Sequence, residues 1–416
     1  MGEFMIKKVV LIFSLILFPL FVKASSLSGV MIGNVYYENL EDAIKAVNSN
    51  EVIKLLSDVL LDDSILIDKP VNIDLNGNDI SSSTSVFVVD GGKLTLSGSG
   101  TVMELEPDYG VIRVIGSSLS TASDYSVVNV DSDVLLKGWA GVFVTHNNSK
   151  SYGVVVDLSG SIEAVNDING GLGSGIYING NIKDKNNYPV INIWDGAKIV
   201  SSGTGIYMAG YSNINIFKAH ISGNSSGIAI KSGILNINGA EVVCKGLDKT
   251  PTEGDNNGIK DSGTTIQIES NSGYAGDMEI DISDGSFISK NSNVIYEYIG
   301  KGSDSLVKNI NISSGTYISE NNSSVFRFSS DFNNIQGRFI SGGKYTSDPS
   351  NYLKAGYSVS FNNDFYEVSK STLNTLNIID EYNNGNIFLW IGVLLSIGIV
   401  LFILYINRIK ILNLLR

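Results

Sequence analysis

A single cysteine, Cys244, in 416 residues rules out any internal disulfide. Histidine is almost absent, with only His146 and His220, so a histidine-built metal centre has little to work with. Before residue 386 the arginines are Arg113, Arg327 and Arg338 alone. There are 6 prolines and 17% charged residues, and the net charge of −13 is acidic throughout the middle of the chain. Setting aside the two ends, the exposed part carries about −18, which repels nucleic acid and anionic headgroups and excludes DNA binding as a function class.

Glycine is plentiful, at 44 residues, and falls in a repeat. One phrase, Gly-Ile-Tyr/Ala-Ile/Met, starts at Gly175, Gly205 and Gly227; another, apolar-Asn-Ile, is centred on Asn192, Asn215 and Asn236. Apolar residues two apart line one face of a strand, and the Gly, Asn and Ser between phrases permit tight bends. Strand pairs returning at so short a period predict a solenoid, an all-β parallel β-helix of about ten coils. The first phrase has further counterparts at Val86-Phe87-Val88, Ile112-Arg113-Val114, Val142-Phe143-Val144, Val294-Ile295-Tyr296 and Phe326-Arg327-Phe328. From Lys245 to Asp277 the repeat lapses into a polar stretch in which only Ile259 and Ile266-Gln267-Ile268 read as strand, so a protruding loop is expected there.

The ends read differently. Lys7 and Lys8, an apolar run from Val9 to Val22, and Ala24 give residues 1–24 the form of a signal peptide. Residues 387–406 are uncharged and long enough to span a bilayer as a helix, with Arg408, Lys410 and Arg416 in a basic tail, 407–416, after them. The positive-inside rule then predicts a single-pass type I protein of the cell membrane, with an extracellular ectodomain, a cytoplasmic C-terminus and the lipid bilayer as one partner. Between the ends, 25–66 is expected to form an N-terminal cap with an amphipathic helix over 39–48, in which Leu40, Ala43, Ile44 and Val47 share a face and Asn39 caps. The parallel β-helix is expected over 67–345, a C-terminal capping segment over 346–369 and an Asn-rich stalk over 370–386.

The run NLEDAIKAV, EVIKLL, SILIDKPVNIDLNGNDI, with the closing phrase Tyr352 to Val359 and Phe365 to Val368, resembles the pectate-lyase-like right-handed β-helix modules of bacterial surface proteins. The resemblance spans roughly residues 32–368. It implies a right-handed, single-stranded β-helix, a surface location and an adhesin-like role.

Relatives of that fold include lyases and hydrolases, so catalysis is the competing class. A glycosidase needs two carboxylates on one cleft, and a lyase needs a base with calcium held by acidic residues. Gly-His-Gly and Asn-Thr-Asp are missing, and Arg-Ile-Lys occurs only from Arg408, in the tail. Asp131 with Asp133, and Asp62 with Asp63, are acidic pairs at turn-like sequence, where solvated side chains are the ordinary outcome. His220 is expected to face solvent. The expectation is therefore a non-catalytic protein without metal or cofactor, the alternative being a polysaccharide lyase or glycoside hydrolase. If Ile176 and Ile178 point inward, Tyr177 points outward. The same register puts Tyr207, Phe143, Phe87, Arg113 and Arg327 in one exterior column. Such a column suits an extracellular glycan or a protein partner. The competing outcome is that these rings cover one another or lie beneath loops.

Overall fold

The structure is a computed structural model that describes residues 29–116, 124–147, 153–250, 261–302, 304–321, 323–329 and 338–371. It is nearly all parallel sheet, in an arrangement compatible with a parallel β-helix. One coil shows how it is made. Thr204–Met208 is followed by Asn213–Phe217 and His220–Gly223, and Ser226–Ile230 then lies parallel to Thr204–Met208. Each strand thus pairs with its counterpart one coil on. Among the described residues the sheet holding the Gly-Ile phrases has ten strands in strict chain order, from Ile65–Ile67 to Phe326–Arg327.

Register aligns identical chemistry. Ile176, Ile206, Ile228 and Ile266 form one inward column, and Ile191, Ile214, Leu235 and Ile280 a second. A third runs Ile162, Ile199, Ile221, Val242 and Phe287, continuing as Tyr317 and Tyr345. All are buried, and each aliphatic side chain so buried stabilises by roughly 1.5–3 kcal/mol. Toward the C-terminal end the third column turns aromatic, with Phe287, Tyr317 and Tyr345 stacked at 4.9 and 4.8 Å. The apolar-Asn-Ile phrases build a polar ladder on the outside. Asn236 donates to Asn215 at 2.9 Å, Asn215 to Asn192 at 2.9 Å, and Asn192 to Asp157 at 3.0 Å.

The stack begins earlier than the sequence suggests. Val52–Leu55 already pairs in parallel with Pro70–Asp74, inside the stretch assigned to the cap. Before it, Val30–Ile32 runs antiparallel to both Val35–Tyr37 and Val52–Leu55. The helix is present as Leu40–Ala46, shorter than 39–48, because Val47 leaves helical geometry at ψ 138. Asn39 accepts the amide N–H of Asp42 at 2.9 Å, and Leu40, Ala43 and Ile44 are buried. At the far end Phe365–Lys370 runs antiparallel to Gly343–Tyr345. Among the described residues no helix is long and apolar enough to cross a membrane. The signal peptide and the 387–406 span lie outside the described residues.

Candidate functional site

The outward column of the ten-strand sheet runs Val88, Arg113, Phe143, Tyr177, Tyr207, Ala229, Gln267, Tyr296 and Arg327. Five of the six expected residues are therefore in line, and Phe87 is not. Phe87 pairs with Ile65 and Ile112 and is fully buried in the interior, while Val88 takes the outward place. The strand itself is in unbroken register with both neighbours. Val86, also buried, is the corner residue before it, as Val111 is before Ile112, so the first inward place falls to Phe87 and the outward one to Val88.

The rings stack along the column. Phe143 and Tyr177 lie 5.1 Å apart at 8°, and Tyr177 and Tyr207 lie 4.7 Å apart. The middle of the column is covered. Tyr207 is 1% exposed and Tyr177 9%, packed with Trp139, Ala209, Ala229 and Tyr274. Trp139 comes from the corner before Ala140–His146, with its indole N–H on the carbonyl of Leu172 at 3.1 Å. Tyr274 comes from the turn after Thr264–Asn271, and Gly180 makes room for it, since a Cβ there would sit 2.6 Å from the ring. Burial above all pushes the Tyr207 hydroxyl far above its ordinary range, so it stays protonated. Arg113 and Phe143 are half-buried, and Arg327 is exposed with its guanidinium 4.4 Å from the Tyr296 ring centre.

Beside this column lies a polar centre with no counterpart in the sequence reading. Lys231, the bend residue directly after Ser226–Ile230, and Glu269, in the neighbouring strand Thr264–Asn271, form an ion pair at 2.6 Å, both side chains 1% exposed. The Lys231 ammonium lies 5.2 Å from the Tyr207 ring centre and 4.9 Å from that of Tyr274. Glu269 also accepts Tyr298 Oη and Asn271 Nδ2, each at 2.7 Å. Burial works to raise its carboxyl, but Lys231 and these hydrogen bonds prevail and hold it below the ordinary value. Gly300 faces the carboxylate so closely that a Cβ there would collide with it. Gln267, in the main column, accepts from Ser226 Oγ at 3.1 Å and from Ser262 Oγ.

The polar interruption is accordingly shorter than expected. Thr264–Asn271 is a full strand of the sheet, with Gln267 and Glu269 buried on its outward side. Residues 251–260, Ile259 among them, lie outside the described residues. His220 is half-exposed, as its sequence suggests, with Nδ1 2.9 Å from Glu241. Asp131, Asp133, Asp62 and Asp63 are all exposed. Among the described residues no group of three or more His, Cys, Asp or Glu is placed to hold a metal. Burial raises the Cys244 thiol to about 12, so it is a packed small side chain rather than a nucleophile.

No protein-family model matches this chain, and no curated protein or solved structure does.

Proposed function

We propose that the chain is a membrane-anchored, surface-exposed β-helix protein of the right-handed pectate-lyase-like kind, adhesin-like or structural and non-catalytic. The observation that carries this is the outward column, a line of side chains held at strand spacing on a sheet built of repeated coils. Its covered middle stiffens the scaffold. Its open parts, Arg113 with Phe143 on one side and Arg327 over the buried Tyr296 ring on the other, are where a glycan or a protein partner would meet it. The signal-peptide-like start, the uncharged 387–406 stretch and its basic tail support export with retention in the cell membrane.

The test is a glycan array and a depolymerisation screen on residues 25–385, run alongside an Arg113→Ala/Phe143→Ala variant. Binding that the variant loses, without product from any polysaccharide, supports the reading. Release of unsaturated or reducing-end product from wild-type protein overturns it in favour of a lyase or hydrolase.

A further inference from the structure

We infer that Lys231 and Asn271 join in an intramolecular isopeptide bond, with Glu269 moving the protons. Three observations converge on this. A buried lysine and a side-chain carboxamide are hydrogen-bonded to opposite oxygens of one carboxylate, Lys231 to Oε2 at 2.6 Å and Asn271 Nδ2 to Oε1 at 2.7 Å. The carboxamide is oriented, because its Oδ1 accepts the backbone N–H of Gly273 at 2.9 Å, which fixes Nδ2 toward Glu269. That N–H also stands where negative charge develops on Oδ1 during attack at Cγ. Finally, the place is built for these groups, with the two tyrosine rings flanking the ammonium and Gly300 leaving space for the carboxylate.

The step balances without any co-reactant. The ion pair is the resting state, so the step is slow: only when Glu269 transiently takes a proton from the Lys231 ammonium is the free amine available to attack Cγ of Asn271. The Cγ–Nδ2 bond breaks, a second Nζ proton goes to the departing nitrogen, and Glu269 returns the first. One ammonium ion leaves, and Glu269 ends as the carboxylate it was. Glu269 gathers both groups, one on each of its oxygens, in a largely buried site, and this supplies the rate that free lysine and asparagine lack. The bond links two neighbouring coils across the polar stretch between them, a covalent tie in a chain that has no disulfide.

Mass spectrometry of the full chain tests it. The intact mass should be lower than that of the processed sequence by one ammonia. Trypsin should fail to cut after Lys231 and should release residues 219–245 joined to residues 261–290. Glu269→Gln, which keeps the size of the side chain, should give full mass and separate peptides with an unchanged β-sheet circular dichroism spectrum. Asn271→Ala, which leaves the ion pair intact, should do the same and serves as the control if Glu269→Gln does not fold. Quantitative cleavage after Lys231 in folded wild-type protein incubated for days overturns the proposal. So does the joined peptide persisting in Asn271→Ala.

Discussion

A Cβ on Gly205 would lie 2.5 Å from Cγ2 of Ile221, a side chain of the same coil, and equally close to the carbonyl oxygen of Gly227 on the next. Gly175 stands in the same relation to Ile199, and Gly227 to Val242. The repeated glycine is therefore an interior feature, the space into which the third strand of each coil packs. Gly205→Ala should destabilise by about 1–3 kcal/mol through overpacking. Denaturant unfolding of a double-mutant cycle checks the cause, because Ile221→Ala should be less damaging in the Gly205→Ala background than in wild type.

The two faces of Asn213–Phe217 should respond very differently. Ile216 is fully buried, so Ile216→Asp should abolish folding, and Ile206→Asp likewise, since neither buried carboxylate has a partner. Asn215 is one rung of the external amide ladder, giving one hydrogen bond and receiving another, and Asn215→Ala should lower stability by about 1 kcal/mol. Soluble, β-rich Ile206→Asp protein would mean that the inward register is wrong.

Those isoleucines and the strand spacing were legible in the sequence because alternation reports directly on an apolar interior. Phe87 was not, since Val86 and Phe87 are both apolar and both buried, and period two cannot tell which is the corner residue and which begins the strand. Nor was the centre around Lys231 legible. Alternation says which side chains point outward, but burial of that outward face depends on Trp139 and Tyr274, which arrive from turns remote in sequence. Of the strand Thr264–Asn271 only Ile266-Gln267-Ile268 was legible, for the same reason: its covered face continues with Glu269, where a polar residue reads as loop.

Two buried titrating groups should oppose each other as pH changes. Neither ring nitrogen of His146 has a hydrogen-bond partner among the described residues. Burial, only partly offset by Asp184, lowers the imidazole to about 4. Its folded value lies below the unfolded one, so its contribution is complete above about pH 6.5 and is lost as pH falls toward 4. Glu104 behaves in reverse. Burial raises its carboxyl to about 7 against the pull of the backbone N–H groups of Trp139, Tyr109 and Gly110. Its contribution is present below about pH 4.5 and is lost as pH rises through 7. Unfolding measured from pH 4 to 7.5 should show the stability of His146→Phe falling relative to wild type toward neutral pH and that of Glu104→Gln rising relative to wild type. Parallel profiles for the two variants would refute the assignment.

The covered and open parts of the outward column should separate folding from recognition. Tyr207 is buried between Tyr177 and the Lys231 ammonium, so Tyr207→Ala should destabilise by about 3–5 kcal/mol, and adding Tyr177→Ala should worsen it. Loss of binding in that double variant would therefore say little unless the protein is shown to be folded. Arg113 and Phe143 are only half-buried, and Arg113→Ala/Phe143→Ala should leave the unfolding midpoint within a few degrees of wild type. If the column is a recognition surface, that variant should lose glycan or partner binding at least tenfold in a titration at fixed ionic strength. Full binding by the folded variant would leave the rings a purely structural role, stacked to hold successive coils in register.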